Sequence, residues 1–252
     1  MHGRMTERTT DFGFEKIPLQ DKSRRVSSVF SSVAENYDLM NDLMSFGVHR
    51  LWKRFAVELA GVREGQRVLD LAAGTGDLAR QFVHRVGDTG SVTLADLNAD
   101  MLEVGRRRLI DSGVLKAVAY VQTDAESLPF ADNQFDLVSI AFGLRNVTDK
   151  GRALVSMLRV LRPGGQVLIL EFSTLRVPVL DPLYRAYILN LLPRMGRIVA
   201  GDSDSYRYLA ESIRLHPSQE QLLEIMKTAG FERCGYHNLS GGIAAVHRGY
   251  KL

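Results

Sequence analysis

The stretch Val68-Leu69-Asp70-Leu71-Ala72-Ala73-Gly74-Thr75-Gly76-Asp77 decides the fold. In it, an apolar strand with an acidic residue runs into a glycine-bearing turn, and a segment of helical period follows at 78–86. Such a tight turn needs glycine, because its backbone angles disfavour a β-carbon and because a ligand can lie against the main chain only where no side chain stands. The stretch therefore predicts a ligand site at the carboxyl end of a strand.

The chain from residue 65 onward alternates short runs rich in Val, Leu and Ile with segments of helical period. Strands are predicted at 67–71, 91–96, 117–122, 135–141 and 166–172, with crossover helices at 78–86, 101–110 and 151–161. This alternation is typical of a doubly wound α/β fold with a parallel sheet. A last helix at 218–229 precedes strands at 231–238 and 243–250, which form either a terminal hairpin or two strands added antiparallel to the sheet edge.

Two regions fall outside this alternation. Residues 1–64 are predicted to be a helical extension of the same domain, with helices at 27–37 and 48–60 around a polar, methionine-rich stretch. The main domain, 65–252, carries an insertion at 173–216 that is too long for a plain connection. Apolar residues recur at helical spacing from Leu180 to Met195. One interpretation of that helix is that it packs on the core. The other is that it lines a pocket for a hydrophobic substrate or docks on a membrane.

The composition excludes several classes of protein. With 252 residues, 45% of them hydrophobic and 24% charged, the chain is typical of a globular protein rather than a disordered or fibrous one. Its net charge of +3 comes from interspersed charges, so nucleic-acid binding is not expected. Cys234 has no partner in the chain, and no Cys/His cluster has zinc-ligand spacing, so no metal is expected. The charged N-terminus and the lack of an 18-residue apolar run predict a cytoplasmic protein, peripheral to a membrane at most.

Acidic residues at the ends of the next strands predict contacts with an adenosine-containing cofactor. Asp96 stands twenty residues beyond Gly76, where a carboxylate accepts hydrogen bonds from both ribose hydroxyls. The alternative for Asp96 is an N-cap, a role that Asn98 fills more naturally. Asp124 follows the third strand and is placed to accept a hydrogen bond from an adenine amino group, with Ala125 or Leu128 against the ring. The alternative for Asp124 is an Asx turn.

The glycines alone do not select the cofactor. Gly74-x-Gly76-x-x-Ala79 also fits the dinucleotide fingerprint of nicotinamide-dependent oxidoreductases. Asp70 favours S-adenosylmethionine, because a carboxylate repels a pyrophosphate and attracts a cationic sulfonium and ammonium ligand. The turn Leu161-Arg162-Pro163-Gly164-Gly165 also resembles the corresponding turn of class I methyltransferases.

Further motifs make the resemblance specific. They are Tyr37-Asp38-Leu39-Met40-Asn41-Asp42, Phe142-Gly143-Leu144-Arg145-Asn146-Val147-Thr148-Asp149, and Asp204-Ser205-Tyr206-Arg207-Tyr208-Leu209-Ala210-Glu211-Ser212-Ile213. From about residue 11 to its C-terminus the chain resembles the ubiquinone/menaquinone biosynthesis C-methyltransferases. The resemblance implies a Rossmann-like class I fold, with a mostly parallel seven-stranded sheet and a C-terminal antiparallel strand. It also implies S-adenosyl-L-methionine as cofactor and a polyprenyl quinol, either demethylmenaquinol or 2-polyprenyl-6-methoxy-1,4-benzoquinol, as the substrate methylated on a ring carbon.

The resemblance also assigns cofactor contacts to individual positions, namely Thr75, Asp96, Asp124 and Ala125. Ala141 stands where the family frequently has a cofactor-binding serine, so only a backbone contact is expected there. Ala72 stands where many class I enzymes have the first glycine of the loop. Because Gly74, Gly76 and the ribose-binding acid Asp96 are retained, we expect cofactor binding to persist with altered detail.

Residues near the methyl group are the candidates for catalysis. Arg145 and Asn146 follow the fourth strand, so we expect Arg145 to stabilise a phenolate and Asn146 to hold a quinol oxygen. The alternative for Arg145 is a structural pair with Asp149. Tyr37 is expected to close over the cofactor.

Three residues of the insertion, Tyr206, Arg207 and His216, are candidates to face the quinol head group, although Tyr206 and Tyr208 fit the core equally well. His49 is interpreted as structural. The resemblance suggests a homo-oligomer or a larger quinone-biosynthesis complex. A non-catalytic member of such a complex is the remaining alternative, supported by the departures at Ala72 and Ala141.

Overall fold

The computed structural model describes residues 9–34, 37–114, 118–177, 179, 181–192, 194 and 203–252, and the side chains of residues 37, 38, 43, 181 and 185 are outside this description. The strands are β1 Thr9–Phe12, β2 Glu15–Pro18, β3 Arg67–Leu71, β4 Ser91–Asp96, β5 Val118–Gln122, β6 Phe135–Ala141, β7 Leu161–Phe172, β8 Glu232–Leu239 and β9 Ala244–Tyr250. The α-helices are α1 Lys22–Val33, α2 Tyr37–Ser45, α3 His49–Ala60, α4 Asp77–Val86, α5 Ala99–Asp111, α6 Lys150–Val160, α7 Asp181–Ala186, α8 Ser203–Leu215 and α9 Gln219–Thr228.

Seven of these strands form one sheet in the order β5-β4-β3-β6-β7-β9-β8. The pairs from β5 to β7 are parallel, and β9 runs antiparallel to both β7 and β8. The predicted fold, a mostly parallel seven-stranded sheet with a C-terminal antiparallel strand, is confirmed. The last two strands are joined through residues 240–242 as a hairpin, and β9 attaches that hairpin to β7.

The strand order reverses at β3, which lies between β4 and β6. Open α/β sheets bind ligands outside the carboxyl ends of the strands at such a point. Residues 135–140 of β6 are all buried because helices cover both faces of the sheet. One hydrophobic cluster joins a face of the sheet to α1–α5 and α8, and a second joins the other face to α6 and α9.

The N-terminal region differs from the prediction in two ways. A two-stranded hairpin, β1–β2, precedes its helices, and the methionine-rich stretch forms its own helix, α2. Met40 and Met44 lie one helical turn apart in α2 and are both buried in the first cluster. The strands β1 and β2 have only four residues each, which is too short for alternation to reveal them in the sequence.

The insertion contains a short helix, α7, that continues as a π-helical turn at Tyr187–Leu191. Ile188 and Leu192 are buried, whereas Leu183 and Leu191 are 70% and 47% exposed. The predicted apolar helix therefore packs on the core along one side only, and its predicted ends at Leu180 and Met195 lie outside the described residues. None of the helices in the described parts of the chain is long and apolar enough to cross a bilayer.

Candidate active site

The glycine turn has the backbone that the sequence predicts. Gly74 and Gly76 have φ values of 53° and 81°, a region in which a side chain is strained. Gly76 is the N-cap residue of α4, and the main chain at Gly74 lies so close to α5 that a β-carbon on Gly105 would come within 2.8 Å of the Gly74 carbonyl oxygen. Ala72 also has a positive φ, 47°, without being glycine.

Asp96 is fixed at the end of β4 by two backbone hydrogen bonds. Gly74 N donates to Asp96 Oδ2 and Asn98 N donates to Asp96 Oδ1, each at 2.9 Å. Burial raises the pKa of Asp96, while these backbone N–H groups act in the opposite direction. Asn98 Oδ1 accepts a hydrogen bond from Met101 N at 2.8 Å, so Asn98 is the N-cap of α5. The sequence analysis favoured Asn98 over Asp96 for this role.

A cleft of about 810 Å³ opens at the carboxyl ends of β3, β4 and β5. Gly74, Asp96, Asp124 and Ala125 line it, so the structure brings these four predicted cofactor residues together. Asp124 also forms the Asx turn that was its alternative interpretation, since Glu126 N donates to Asp124 Oδ1 at 2.9 Å. Its position at the cleft shows that the turn and a ligand contact are compatible.

A second cleft, of about 320 Å³, lies on the other side of the glycine turn and shares Ala72, Gly74 and Phe142 with the first. Asp70, Thr75 and Ala141 line this smaller cleft. Gly76 lines neither of the two and lies in the turn itself, as the N-cap of α4. The predicted cofactor residues are thus divided between two adjoining clefts.

Asp70 is a buried acid at the base of the smaller cleft. Ser139 Oγ donates to Asp70 Oδ1 at 2.6 Å. Burial raises the pKa of Asp70 to about 7, although this hydrogen bond and the nearby Lys53 lower it. A cationic ligand group beside Asp70 favours its ionised form, in agreement with the preference inferred from the sequence.

Helix α1 forms the roof of the larger cleft. Asn98 Nδ2 donates to Ser27 O at 2.8 Å, to Ser27 Oγ at 3.0 Å and to Ser31 Oγ at 2.8 Å. Val26 and Phe30 of α1 contribute apolar side chains to the lining. The sequence analysis missed this roof, because these contacts join residues about 70 positions apart and no local pattern reports them.

Arg145 and Asn146 occupy a 3₁₀ turn after β6 and face different clefts. Arg145 is buried, and its Nη1 donates to Glu171 Oε1 at 3.0 Å and to the Phe142 carbonyl oxygen. The suggested pairing of Arg145 with Asp149 is wrong, because Asp149 instead caps α6 by accepting from Arg152 N. The acid that pairs with Arg145 is Glu171, near the end of β7.

Asn146 lines the larger cleft, and its Oδ1 accepts a hydrogen bond from Tyr208 Oη at 3.0 Å. Arg145 and Tyr208 line a third cleft, of about 440 Å³, together with Lys22 and Lys150. The sequence analysis considers Tyr208 only as a core residue, and it missed both lysines. The only signal for Tyr208 is its place in the motif at 204–213.

The predicted head-group residues are dispersed, and none of them lines these three clefts. Tyr206 is wholly buried in the first hydrophobic cluster, which is the core role that the sequence also allowed. Arg207 is exposed, with Nη1 3.6 Å from Asp204 Oδ1. His216 is buried after α8, and burial holds its pKa well below the usual range.

Two residues remain from the sequence analysis. The side chain of Tyr37, predicted to close over the cofactor, lies outside the described residues. His49 is buried in α3, with its Nε2 2.9 Å from Asp42 Oδ1. This contact links α3 to α2, which agrees with the structural interpretation of His49.

Comparison with known proteins decides the family. Residues 19–251 match the model of the ubiE/COQ5 methyltransferase family. The chain belongs to this family. The family predicted from the motifs is therefore confirmed. The predicted enzyme class, an S-adenosylmethionine-dependent methyltransferase, is confirmed as well.

Curated relatives cover almost the whole chain. The ubiquinone/menaquinone biosynthesis C-methyltransferase UbiE of Pseudomonas aeruginosa (strain LESB58) is 61% identical over 249 residues, which are 99% of this chain and 97% of the relative. The protein of the same name from Idiomarina loihiensis is 59% identical over 246 residues, 98% of both chains. Among solved structures, a SAM-dependent methyltransferase from Aquifex aeolicus is 19% identical with a TM-score of 0.61, covering 88% of this chain and 98% of that one, which supports the fold.

The residues of the two adjoining clefts fit S-adenosylmethionine. The carboxylate of Asp96, which backbone hydrogen bonds hold in place, fits two ribose hydroxyls as donors. The buried carboxyl group of Asp70 fits a cationic group of the ligand. The nicotinamide alternative is not supported, because the matching family and these relatives are methyltransferases.

Proposed function

We propose that this protein transfers a methyl group from S-adenosylmethionine to a ring carbon of a polyprenyl quinol, in ubiquinone and menaquinone biosynthesis. The observation that carries the proposal is the match, over nearly the full length of both chains, to relatives named for this reaction. The substrates proposed from the resemblance are demethylmenaquinol and 2-polyprenyl-6-methoxy-1,4-benzoquinol.

At the cofactor end, Asp96 accepts hydrogen bonds from the ribose, while Asp124 and Ala125 contact the adenine. All three line the larger cleft beneath α1. Thr75 and Ala141 lie in the smaller cleft, toward the methionine part of the cofactor. When bound, S-adenosylmethionine supplies an electrophilic methyl group, and the protein's task is to orient the quinol carbon toward it and to exclude water.

At the substrate end, Asn146 is the residue placed to hold a quinol oxygen. Its Oδ1 is occupied by the hydroxyl of Tyr208, which fixes the orientation of the amide. The amide Nδ2 is then the group that donates to the quinol oxygen. Tyr208 acts as a positioning residue, since Phe12 stacks on its ring with centroids 4.3 Å apart and holds it in place.

Positive charges lie behind Asn146. The third cleft contains Arg145, Lys22 and Lys150, and Thr148 lines both this cleft and the larger one. Burial, with the nearby charge of Lys22, lowers the pKa of Lys150 to about 8. Ring methylation requires electron density at the carbon, so these cations favour the reaction by stabilising a phenolate. Arg145 contributes as part of a buried pair with Glu171, so its role is electrostatic rather than that of a base.

An exposed apolar face completes the proposal. Phe46, in the α2–α3 turn, is 76% exposed and stacks on Tyr187 of the insertion, with ring centroids 4.8 Å apart. Leu183 and Leu191 lie one helical turn to either side of Tyr187 and are also exposed. We propose that these four residues contact the membrane surface from which the prenyl quinol is taken.

The reaction is tested by incubating the purified protein with S-adenosylmethionine and a reduced quinol and following the gain of one methyl group by mass spectrometry. Asn146→Leu should lower kcat by about 100-fold, because it removes the amide donor from the developing phenolate. Tyr208→Phe should lower kcat by about 10-fold and leave the affinity for S-adenosylhomocysteine unchanged. Methylation of neither quinol by the native protein refutes the proposed function and supports a non-catalytic role.

The apolar face is tested by replacing Leu183 and Leu191 with serine. The double variant should lose flotation with anionic phospholipid vesicles and show a higher KM for long-tailed quinols than for short-tailed ones. Val155→Ser is the matched control, since Val155 is 53% exposed on α6, which covers the opposite face of the sheet. Leu192 is unsuitable for this test, because it is fully buried. Equal KM changes for both kinds of quinol argue against this face.

Assembly into a homo-oligomer or a larger biosynthetic complex stays a prediction. Size-exclusion chromatography with light scattering on the purified protein tests the first. Co-purification from membranes of the native host tests the second.

A further inference from the structure

The smaller cleft holds a charged side chain that the cofactor assignments leave unused. Lys53 of α3 lines this cleft together with Asp70, Thr75 and Asp77. Only 6% of the surface of Lys53 is accessible to solvent. Burying a lysine ammonium is costly unless its charge and its donors are satisfied, so its position needs an explanation.

One partner of Lys53 is clear. Its Nζ donates to Asp77 Oδ2 at 2.6 Å, which links α3 to the first turn of α4. An ammonium group has three donors, and this is the only hydrogen bond of Lys53 recorded among the described residues. Asp77 fixes the direction of the lysine side chain and leaves two of its donors for a ligand in the cleft.

The position of the cleft indicates which part of the cofactor reaches Lys53. The adenosine contacts, at Asp96 and Asp124, all lie in the larger cleft. The two clefts meet at Ala72, Gly74 and Phe142, so a ligand whose nucleoside fills the first extends past the glycine turn into the second. The part of S-adenosylmethionine beyond its nucleoside is an amino acid, which carries one ammonium and one carboxylate.

We propose that Lys53 binds the α-carboxylate of S-adenosylmethionine, and that Asp77 is a positioning residue for Lys53. The ammonium group of the ligand lies toward Asp70, the buried acid of the same cleft. This arrangement pairs the carboxylate and the ammonium of the ligand's amino acid group each with an opposite charge of the protein. The inference rests on the S-adenosylmethionine site and adds the residue that selects its amino acid end.

The test is isothermal titration of the full-length protein with three probes. These are S-adenosylmethionine, its decarboxylated form, and 5′-methylthioadenosine, which lacks the amino acid altogether. The native protein should bind S-adenosylmethionine about 10- to 100-fold more tightly than the decarboxylated form, the range expected for one charge-assisted hydrogen bond. Equal affinity for these two ligands overturns the inference without any variant.

Lys53→Met should remove most of this preference by weakening S-adenosylmethionine binding alone. Asp77→Asn is the matched control, because it removes the charge of the same ion pair but keeps the lysine and an amide oxygen that accepts its hydrogen bond, and it should retain the preference within about threefold. A Lys53→Met variant that weakens all three probes equally shows a structural role and overturns the inference. Failure of the native protein to bind 5′-methylthioadenosine is a different result, since it refutes the adenosine site itself.

Discussion

The close approach of two loops at the cofactor site makes a specific prediction about stability. Ala72, after β3, and Gly143, after β6, both line the larger cleft. A β-carbon added at Gly143 would lie 2.3 Å from the β-carbon of Ala72 and 3.3 Å from Cγ1 of Ile140. Carbon atoms in ordinary contact are about 3.5 to 4.0 Å apart, so Gly143→Ala requires a displacement of about 1.2 Å between the loops.

The backbone at Gly143 does not itself demand glycine, because its φ and ψ are −117° and −31°. The cost of Gly143→Ala is therefore steric, and we expect a loss of about 1 to 3 kcal/mol in the free energy of unfolding. Ala72→Gly removes the opposing β-carbon and relieves a residue at φ 47°. Relief of about 1 to 2 kcal/mol is offset by about 0.5 to 1 kcal/mol of glycine entropy, so this variant should be up to about 1.5 kcal/mol more stable.

The double variant should recover most of the loss, since only the tight contact with Ile140 remains. We expect a coupling free energy of about 1 to 2 kcal/mol between the two positions. Urea denaturation of the native protein, both single variants and the double variant measures it, with the slopes of the transitions compared to verify a common unfolded state. Effects that add within about 0.5 kcal/mol would falsify the steric explanation.

Three further predictions concern buried polar groups. Burial raises the pKa of Asp70 to about 7, so the native protein should lose stability as the pH rises from about 4 to about 7. The Asp70→Asn variant should lose less stability over this range. Urea denaturation of both proteins at pH 5 and pH 8 tests the difference. Asn98→Ala removes the cap of α5 and the hydrogen bonds to α1, so it should cost about 1 to 3 kcal/mol of unfolding free energy and weaken S-adenosylhomocysteine binding in a titration. Glu171→Gln leaves the Arg145 guanidinium buried without its counter-charge and should cost about 3 to 5 kcal/mol, whereas a smaller loss of stability by thermal denaturation would mean that solvent reaches Arg145.

The sheet and its ligand-binding edge were predictable from local patterns. Strands such as Arg67–Leu71 are short apolar runs bounded by turn residues, and their order along the chain predicts a doubly wound fold. Gly74 and Asp96 were predictable for the same reason, since the turn and the next strand end lie at fixed separations in sequence. The family motifs then supplied the cofactor and the reaction.

The contacts between distant segments were not predictable in this way. The alternative that the sequence offers for Arg145 is a pair with Asp149, four residues away, whereas the structure pairs Arg145 with Glu171 at the end of a neighbouring strand. Tyr206 was named as a substrate residue, but Tyr208 of the same helix reaches the cleft and Tyr206 lies in the core. Helix α8 has a buried side and a side that faces the cleft. The packing of the helix on the core decides which of its residues lie on each side.

By itself, the sequence determined the strands of the main sheet with their crossover helices, the glycine turn and the acidic residues at the strand ends, because these depend on backbone conformation and on spacing along the chain. Only the tertiary structure decided that α1 roofs the cofactor cleft, that Lys53 lines the adjoining one and that Asn146 is held by Tyr208. These contacts join residues between about 20 and 70 positions apart. They form because helices bury their apolar sides against the sheet, and that burial sets which polar side chains meet at its edge.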